Sequence, residues 1–334
     1  MRFSTNFLVS PSRTGNSRDK MAFVGFTRRD LLAAGGLTAL GGLPFLGQAR
    51  GRQRKRVLRI AHITDLHVQP EHAAGLGMER CLDHAQSQRP DFIFMGGDMV
   101  MDALHADRAR VKSQWDIYQS VLRANKSVPV VSALGNHDVW GWAAGDRFCH
   151  EPGYGKAYAM DRLELNRSYY SFDRKDWHFV VLDSVHQCRG RGYMAKLGRE
   201  QFEWLADDLA RVPKDRHVMV MSHIPIVSAS AFFHGKNERT GNWHVPGAWM
   251  HIDARPIKDL FARHTNVNAC LAGHIHLVDR VDYQGVTYLC NGAASGGWWC
   301  GEFQGVGNGY AVVDLFNDGS VENRYVEYGW TPHA

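Results

Sequence analysis

Apolar positions along the chain follow two alternating spacings. Val57–Thr64 is a nearly continuous β-branched and apolar run, as a buried strand requires. Met78, Cys81, Leu82 and Ala85 then recur three and four apart, a helical stripe that Pro90 ends. The exchange repeats. Phe92–Met95 is a short strand ending in Gly96-Gly97, while Trp115, Tyr118, Val121 and Leu122 mark a second helix. Val128–Leu134 is a third strand ending in Gly135. Ser168–Phe172 and His178–Asp183 predict an antiparallel pair around the charged turn Asp173-Arg174-Lys175-Asp176. Phe202, Leu205 and Leu209 give a helix closed by Pro213, and His217–Ser222 and Val267–Ala272 give further strands. From Val278 onward strand follows strand, with turns at Gly285, Gly292 and Gly319. Strands alternating with helices, then mixed strands, with no internal repeat or rich linker, predict one α/β domain over 60–334. It should hold two packed sheets with helices outside.

Residues 1–49 carry a different pattern. Thr27-Arg28-Arg29-Asp30-Leu31-Leu32 opens an apolar and small-residue run to Leu46, and Gly47-Gln48-Ala49 offers a small-x-small cleavage site. This is the layout of a secretory signal peptide, and the paired arginines make it resemble a twin-arginine signal. The alternative, a membrane anchor, needs about 20 apolar residues, and this run is shorter. The expectation is therefore an exported protein, periplasmic by the twin-arginine route or secreted, with Met21 an alternative start. No other segment holds 18 apolar residues, so no stable membrane span is expected.

Charge sharpens this division. The formal net charge is +5, but residues 60–334 hold 27 Lys/Arg against 32 Asp/Glu, a net of −5. The positive excess lies in the signal and in a basic linker over 50–59. A mildly acidic body argues against a nucleic-acid polymer as partner. With 44% hydrophobic and 22% charged residues, wholesale disorder and a multi-pass membrane protein are excluded. All eighteen histidines follow residue 49, which directs attention to metal ligands.

The candidate chemistry sits at strand ends. Strand one ends in Asp65-Leu66-His67, whose i, i+2 spacing puts both side chains on one side of an extended chain. Gly96-Gly97-Asp98, Gly135-Asn136-His137-Asp138, Ser222-His223-Ile224-Pro225 and Gly273-His274-Ile275-His276 close four more strands. Ligands of open α/β sheets gather beyond such carboxyl ends. Each block alone is weak. Together they supply nitrogen and oxygen ligands for two ions and no thiolate. Imidazole-rich blocks of this kind suit Fe, Mn or Zn better than Mg or Ca, which want oxygen.

This set of blocks, from Asp65 to His276, resembles the calcineurin-like metallophosphoesterase superfamily, with no block missing. The resemblance implies an αββα sandwich with two mixed sheets, a binuclear centre and hydrolysis of a small phosphate ester. It implies a first metal on Asp65, His67 and His276, a second on Asn136, His223 and His274, and Asp98 bridging both. His137 is then no ligand but a group facing the leaving oxygen, and Asp138 either orients it or caps the following segment. Two cations about 4 Å apart clamp a phosphoryl group and lower the pKa of bound water. The DxH and GNHD blocks resemble the cyclic-nucleotide and glycerophosphodiester branch, so diester cleavage is favoured, with monoester cleavage the alternative. A ferric charge-transfer site is not expected, because no tyrosine follows Asp98 closely. The rival of another class is a non-catalytic scaffold on the same fold, which would have lost metal blocks. A lipid-modifying hydrolase is a third reading, to be judged by whether the inserts expose an apolar face.

Substrate choice is expected from inserts near 139–167 and 227–255 and from Gly296-Gly297-Trp298-Trp299. Their aromatics either stack on substrate or pack on the sandwich, and Arg147, Lys156 or Lys236 could hold a second anionic group. His186, close to a strand end, is a candidate partner of a ligand. His62 and His178 read as core groups, and His72, His84, His105, His217, His264 and His333 as surface residues. The cysteines lack CxxC spacing. Cys81 and Cys270 read as buried thiols, and Cys149–Cys188 and Cys290–Cys300 as conceivable disulfides in an exported protein.

Overall fold

A computed structural model describes residues 53–331 other than 189, 191 and 237. The segment read as an export signal therefore lies outside the described residues, as does His333.

Strand β1 (Arg56–Ile63) pairs in parallel with β2 (Phe92–Met95), and β2 with β3 (Val130–Ser132). On its other side β1 meets β12 (Gly309–Phe316) antiparallel, and β13 (Val321–Glu327) completes a sheet ordered β13-β12-β1-β2-β3. The second sheet has the order β10-β11-β9-β8-β5-β4. It comprises β4 (Tyr170–Arg174), β5 (Trp177–Val181), β8 (His217–Met221), β9 (Val267–Ala272), β10 (Asp279–Tyr283) and β11 (Val286–Cys290). In it β5, β8, β9 and β11 run parallel and the two edges antiparallel. The predicted hairpin of β4 and β5 is present.

Strand alternation builds the layers. Leu58, Ile60, Phe92 and Phe94 point inward and pack against Trp177, Phe179, Met219, Met221 and Leu271 of the other sheet. Ala61, Ile63, Ile93 and Met95 point outward onto Met78, Cys81 and Leu82 of α1 (Ala74–Ser87) and Trp115 and Tyr118 of α2 (Arg108–Asn125). On the far side Val180, Val218 and Val220 meet Leu205 and Leu209 of α4 (Arg199–Arg211) and Ile257, Leu260 and Phe261 of α5 (Ala254–Phe261). The result is the expected four-layer αββα sandwich with mixed sheets.

Several details depart from the sequence reading. Strand β1 begins at Arg56 and takes in the last residues of the stretch read as linker, and Arg59 makes a bidentate pair with Asp314 (2.7 Å for both bonds). Helix α3 (Lys156–Arg162), α5 and a small hairpin of β6 (Val185–Cys188) and β7 (Gly192–Ala195) were not anticipated. All six cysteines are free thiols. Cys290 is buried with its Sγ toward the Gly273 carbonyl, so neither conceivable disulfide forms. Cys81 and Cys270 are buried. His84 is half-buried on the Tyr310 hydroxyl and His217 lies against Trp177, so neither is a simple surface residue. His264 is likewise half-buried, while His72 and His105 are exposed. Among the described residues no helix is long and apolar enough to cross a membrane.

Candidate metal centre

The five parallel strands β1, β2, β3, β8 and β9 deliver their carboxyl ends to one place. Asp65 and His67 follow β1, Asp98 follows β2, Asn136 and His137 follow β3, His223 follows β8, and His274 and His276 follow β9. All seven proposed ligands converge there, every one buried except the half-buried His274. The route differs from the extended-chain expectation. Asp65, His67, Asp98, His274 and His276 all have positive φ, between 45° and 70°. Such backbone is costly for residues with a Cβ and persists only where surrounding bonds fix it. The bonds are present: the Asp65 N–H donates to the Gly97 carbonyl and the His67 N–H to the Asp98 carbonyl, each at 3.0 Å. Gly97, at φ 102°, has to be glycine on a second count, since a Cβ there would lie 2.5 Å from the His223 ring.

Two groups of donors result. In the first, His67 Nε2 and His276 Nε2 are 3.1 Å apart, and Asp65 Oδ1 is 3.4 Å from His276 Nε2. His276 spends its Nδ1–H on the Gly296 carbonyl (2.8 Å), which leaves a lone pair on Nε2 facing the other ring. Asp65 Oδ1 is buried with no hydrogen-bond partner. In the second, three acceptors stand 3.2 Å from His223 Nε2: Asn136 Oδ1, Asp98 Oδ2 and His274 Nδ1. His223 Nδ1–H is held by the Gly96 carbonyl and His274 Nε2–H by the Ala248 carbonyl. Asp98 Oδ2 reaches both groups, lying 3.8 Å from His67 Nε2 as well. Unless His223 carries an extra proton, the second group points lone pairs at lone pairs, and the first leaves a carboxylate oxygen orphaned; both call for positive charge among them, so these residues fit a metal pair. Asp65, His67 and His276 lie close enough together to hold an ion, as do Asp98, His223 and His274, and so does a further group of His67, Asp98 and His137.

The electrostatics agree. Burial opposes charge at His223, yet Asp98 beside it overcomes this and raises its pKa to about 9. His274 goes the other way, to about 3, through burial and then the neighbouring His223. Burial also works against ionisation of Asp65, but His276, His223 and His67 hold it well below the usual carboxylate range.

His137 is half-buried, edge-on to His67 with centroids 4.7 Å apart, and its Nδ1 bonds to the Met101 carbonyl. Asp138 does not orient this ring. It is buried and accepts backbone N–H bonds from Asp98, Met99 and Gly135 at 2.8–2.9 Å, tying the β2 and β3 ends together. Burial and the charge of Asp98 raise its carboxyl to about 7.

The inserts divide. In 139–167, Trp140 is fully buried and stacks on Phe148, so packing accounts for it. Lys156 bonds Asp183 and the Val185 carbonyl and so offers no free anion clamp, while Arg147 is exposed with its guanidinium over Phe148. Lys236 is exposed. His186 is exposed on β6, its ring near Gly198. Residues 227–255 do expose Phe233 and Trp243. One neighbour of the ligands, Tyr193, was not anticipated, and another comes from the Gly296-Gly297-Trp298-Trp299 run already named. Tyr193 of β7 stands edge-on to His274 at 6.3 Å, and Trp298 lies against His276 at 4.7 Å. Val185-His186-Gln187-Cys188 does not alternate, and the signal available for the hairpin was the pair of glycines Gly190 and Gly192.

Residues 58–278 match the family model of the calcineurin-like phosphoesterases, over half the chain. The chain belongs to this family. It is therefore a phosphoester hydrolase of a metal-dependent, binuclear family. A 3',5'-cyclic adenosine monophosphate phosphodiesterase from Haemophilus influenzae is 23% identical over 81% of this chain and 90% of its own length. A dimetal phosphatase from Danio rerio has a TM-score of 0.56 at 14% identity, covering 82% of this chain and 100% of the other. A purple acid phosphatase from yellow lupin seeds has a TM-score of 0.53 at 18% identity, over 80% of this chain and 51% of the other. These two structural likenesses concern the fold alone.

Proposed function

We propose that this calcineurin-like phosphoesterase is an exported hydrolase that cleaves small phosphodiesters in preference to monoesters. The observation that carries the catalytic reading is Asp98 Oδ2, set between two groups of imidazole nitrogens at 3.2 and 3.8 Å beside the unpartnered Asp65 Oδ1. We assign the first cation to Asp65, His67 and His276, the second to Asn136, His223 and His274, and the bridge to Asp98. Two divalent cations held there supply Lewis acidity and a water-derived nucleophile at neutral pH. The donor set, nitrogen-rich and free of thiolate, favours Fe, Mn or Zn. His137 has the proton-transfer role: with Nδ1 committed to Met101, Nε2 is left to exchange a proton with the leaving oxygen. Asp138 is a positioning residue that fixes the Asp98 and Asn136 loops. Preference for diesters is supported by the DxH and GNHD blocks and by the 23%-identical cyclic-nucleotide phosphodiesterase. Intact, convergent blocks speak against a non-catalytic scaffold. Export rests on Arg28-Arg29 and the apolar run after them.

Metal analysis of the purified mature protein, with parallel assays on bis(p-nitrophenyl) phosphate and p-nitrophenyl phosphate, tests this reading. About two transition-metal ions per chain and faster diester turnover are expected. Metal-replete protein inactive on both esters would overturn it, and faster monoester turnover would replace diesterase by phosphatase.

A further inference from the structure

The loop after β11 carries two consecutive tryptophans in left-handed backbone, Trp298 at φ 54° and Trp299 at φ 72°. That conformation is disfavoured for any residue with a Cβ and most of all for bulky ones, so two in succession imply that the surrounding structure enforces it. Trp299 accounts for only half of the arrangement. It is fully buried, donates its indole N–H to the His67 carbonyl at 3.1 Å, and stands edge-on to Trp330. It fills the space over Gly77 of α1, where a Cβ would come within 2.1 Å of its ring. The preceding residues are bound just as tightly. Ser295 donates both its N–H and its hydroxyl to the Asp65 carbonyl, Ala294 donates to the Thr64 carbonyl, and Gly296 accepts from His276. The loop is thus built onto the ligands of the first cation.

Trp298 is what this anchoring presents. It does not join the core but stays half-exposed, one face tilted 38° to His276 at 4.7 Å and 53° to His67 at 6.1 Å. Phe303 backs it edge-on at 5.4 Å. His67 therefore touches both Trp298 and His137, so an ester bound between the cations and His137 has this indole as a near wall. A rigid, flat, apolar surface favours flat rings over flexible alkyl groups, because stacking covers both faces with little ordering of the protein.

We propose that Trp298 is a specificity-determining residue that stacks on a ring of the substrate, either a nucleobase or an aryl group. The assignment rests on the hydrolase reading above and deepens it. The rival role is a lid that only shields His276 from water, and three variants separate the two. Trp298→Leu keeps apolar cover without a flat ring, Trp298→Phe keeps a ring, and the wild type is the reference. Each is assayed, with metal content, on 3',5'-cyclic adenosine monophosphate, bis(p-nitrophenyl) phosphate and ringless glycerophosphoglycerol.

The expected result is that Trp298→Leu retains its metal and raises KM about tenfold on the ring-bearing esters, the scale of one lost base–aromatic stack. KM for glycerophosphoglycerol and kcat throughout should stay within about twofold, and Trp298→Phe should recover most of the loss. A rise confined to the cyclic nucleotide supports the wall and assigns it to a nucleobase, while a rise confined to the aryl ester supports it and assigns it to an aryl group. Equal changes on all three esters, or loss of metal in both variants, would overturn the wall and leave the hydrolase intact. Metal-loaded wild type inactive on all three would overturn the hydrolase reading and the wall with it.

Discussion

Two His/Asp clusters stand at opposite ends of the second sheet, and they are wired in opposite ways. At the amino end of β5, His178 bonds Asp173 Oδ1 through Nδ1 at 2.7 Å and Asp208 Oδ2 through Nε2 at 2.8 Å. Ser171 satisfies the other oxygen of Asp208, and Arg216 pairs with Asp173. Every charge there has a partner within the protein. At the carboxyl ends of the strands the imidazoles face one another, and Asp65 Oδ1 has no hydrogen-bond partner. The same residue types give a closed ion pair in one place and a donor set completed only by cations in the other. What separates them is direction: an imidazole whose N–H is already committed to a backbone carbonyl turns its lone pair inward, and only the metal cluster does this.

The comparison is broken most severely at its pivot. Asp98→Asn keeps an acceptor for the His137 N–H but removes the charge shared by both donor groups. Metal content should fall below one ion per chain, and kcat/KM by about a thousandfold, beyond the 10–100-fold cost of losing a partner behind a ligand. Elemental analysis and turnover on bis(p-nitrophenyl) phosphate check it, and a variant with two ions and wild-type rate would refute the bridging role. His137→Ala should act differently. Metal content stays at the wild-type value while kcat drops by roughly a hundredfold or more, the usual contribution of a positioned acid or base. Loss of metal in this variant would make His137 a ligand instead, an arrangement its nearness to His67 and Asp98 makes worth excluding.

How much of this was legible in the sequence depends on whether a feature is carried by one strand or by several loops. Phe92–Met95 and Val267–Ala272 were read to the residue because a buried strand needs an unbroken apolar run and nothing else. The seven proposed ligands were readable because parallel strands must send their carboxyl ends to one edge. Their left-handed backbone was not, since it is imposed by bonds between loops, such as Asp65 N–H to Gly97. The place of Asp138 depends likewise on backbone N–H groups from two separate strand ends, and the sequence next to it suggested His137 instead. Helix α5 did carry a signal, Ile257, Leu260 and Phe261 at helical spacing, but in only eight residues. Tyr193 and Trp298 come to the site on a hairpin and a loop, where no periodicity reports position.

The smallest expected effect probes the closed cluster. Burial alone would lower the His178 pKa, but Asp208 and Asp173 overcome it and raise it above the usual imidazole value. Because the folded value exceeds the unfolded one, the protonated ring stabilises the fold fully below about pH 6.5, and that stability is lost as pH rises through the folded value. His178→Gln should therefore cost about 1–2 kcal/mol at pH 5.5, the scale of hydrogen bonds to charged groups, with Asp208 dominant because Asp173 is half-exposed. As the ring loses its proton at higher pH it keeps one N–H for two carboxylates, so the two proteins should differ less at pH 9. Urea unfolding of metal-loaded wild type and variant at both pH values measures this, and pH effects on metal binding cancel in the difference between them. Metal content and turnover should not change. A larger cost at pH 9 than at pH 5.5 would mean that His178 is held neutral, and that the two clusters are more alike than their bonds imply.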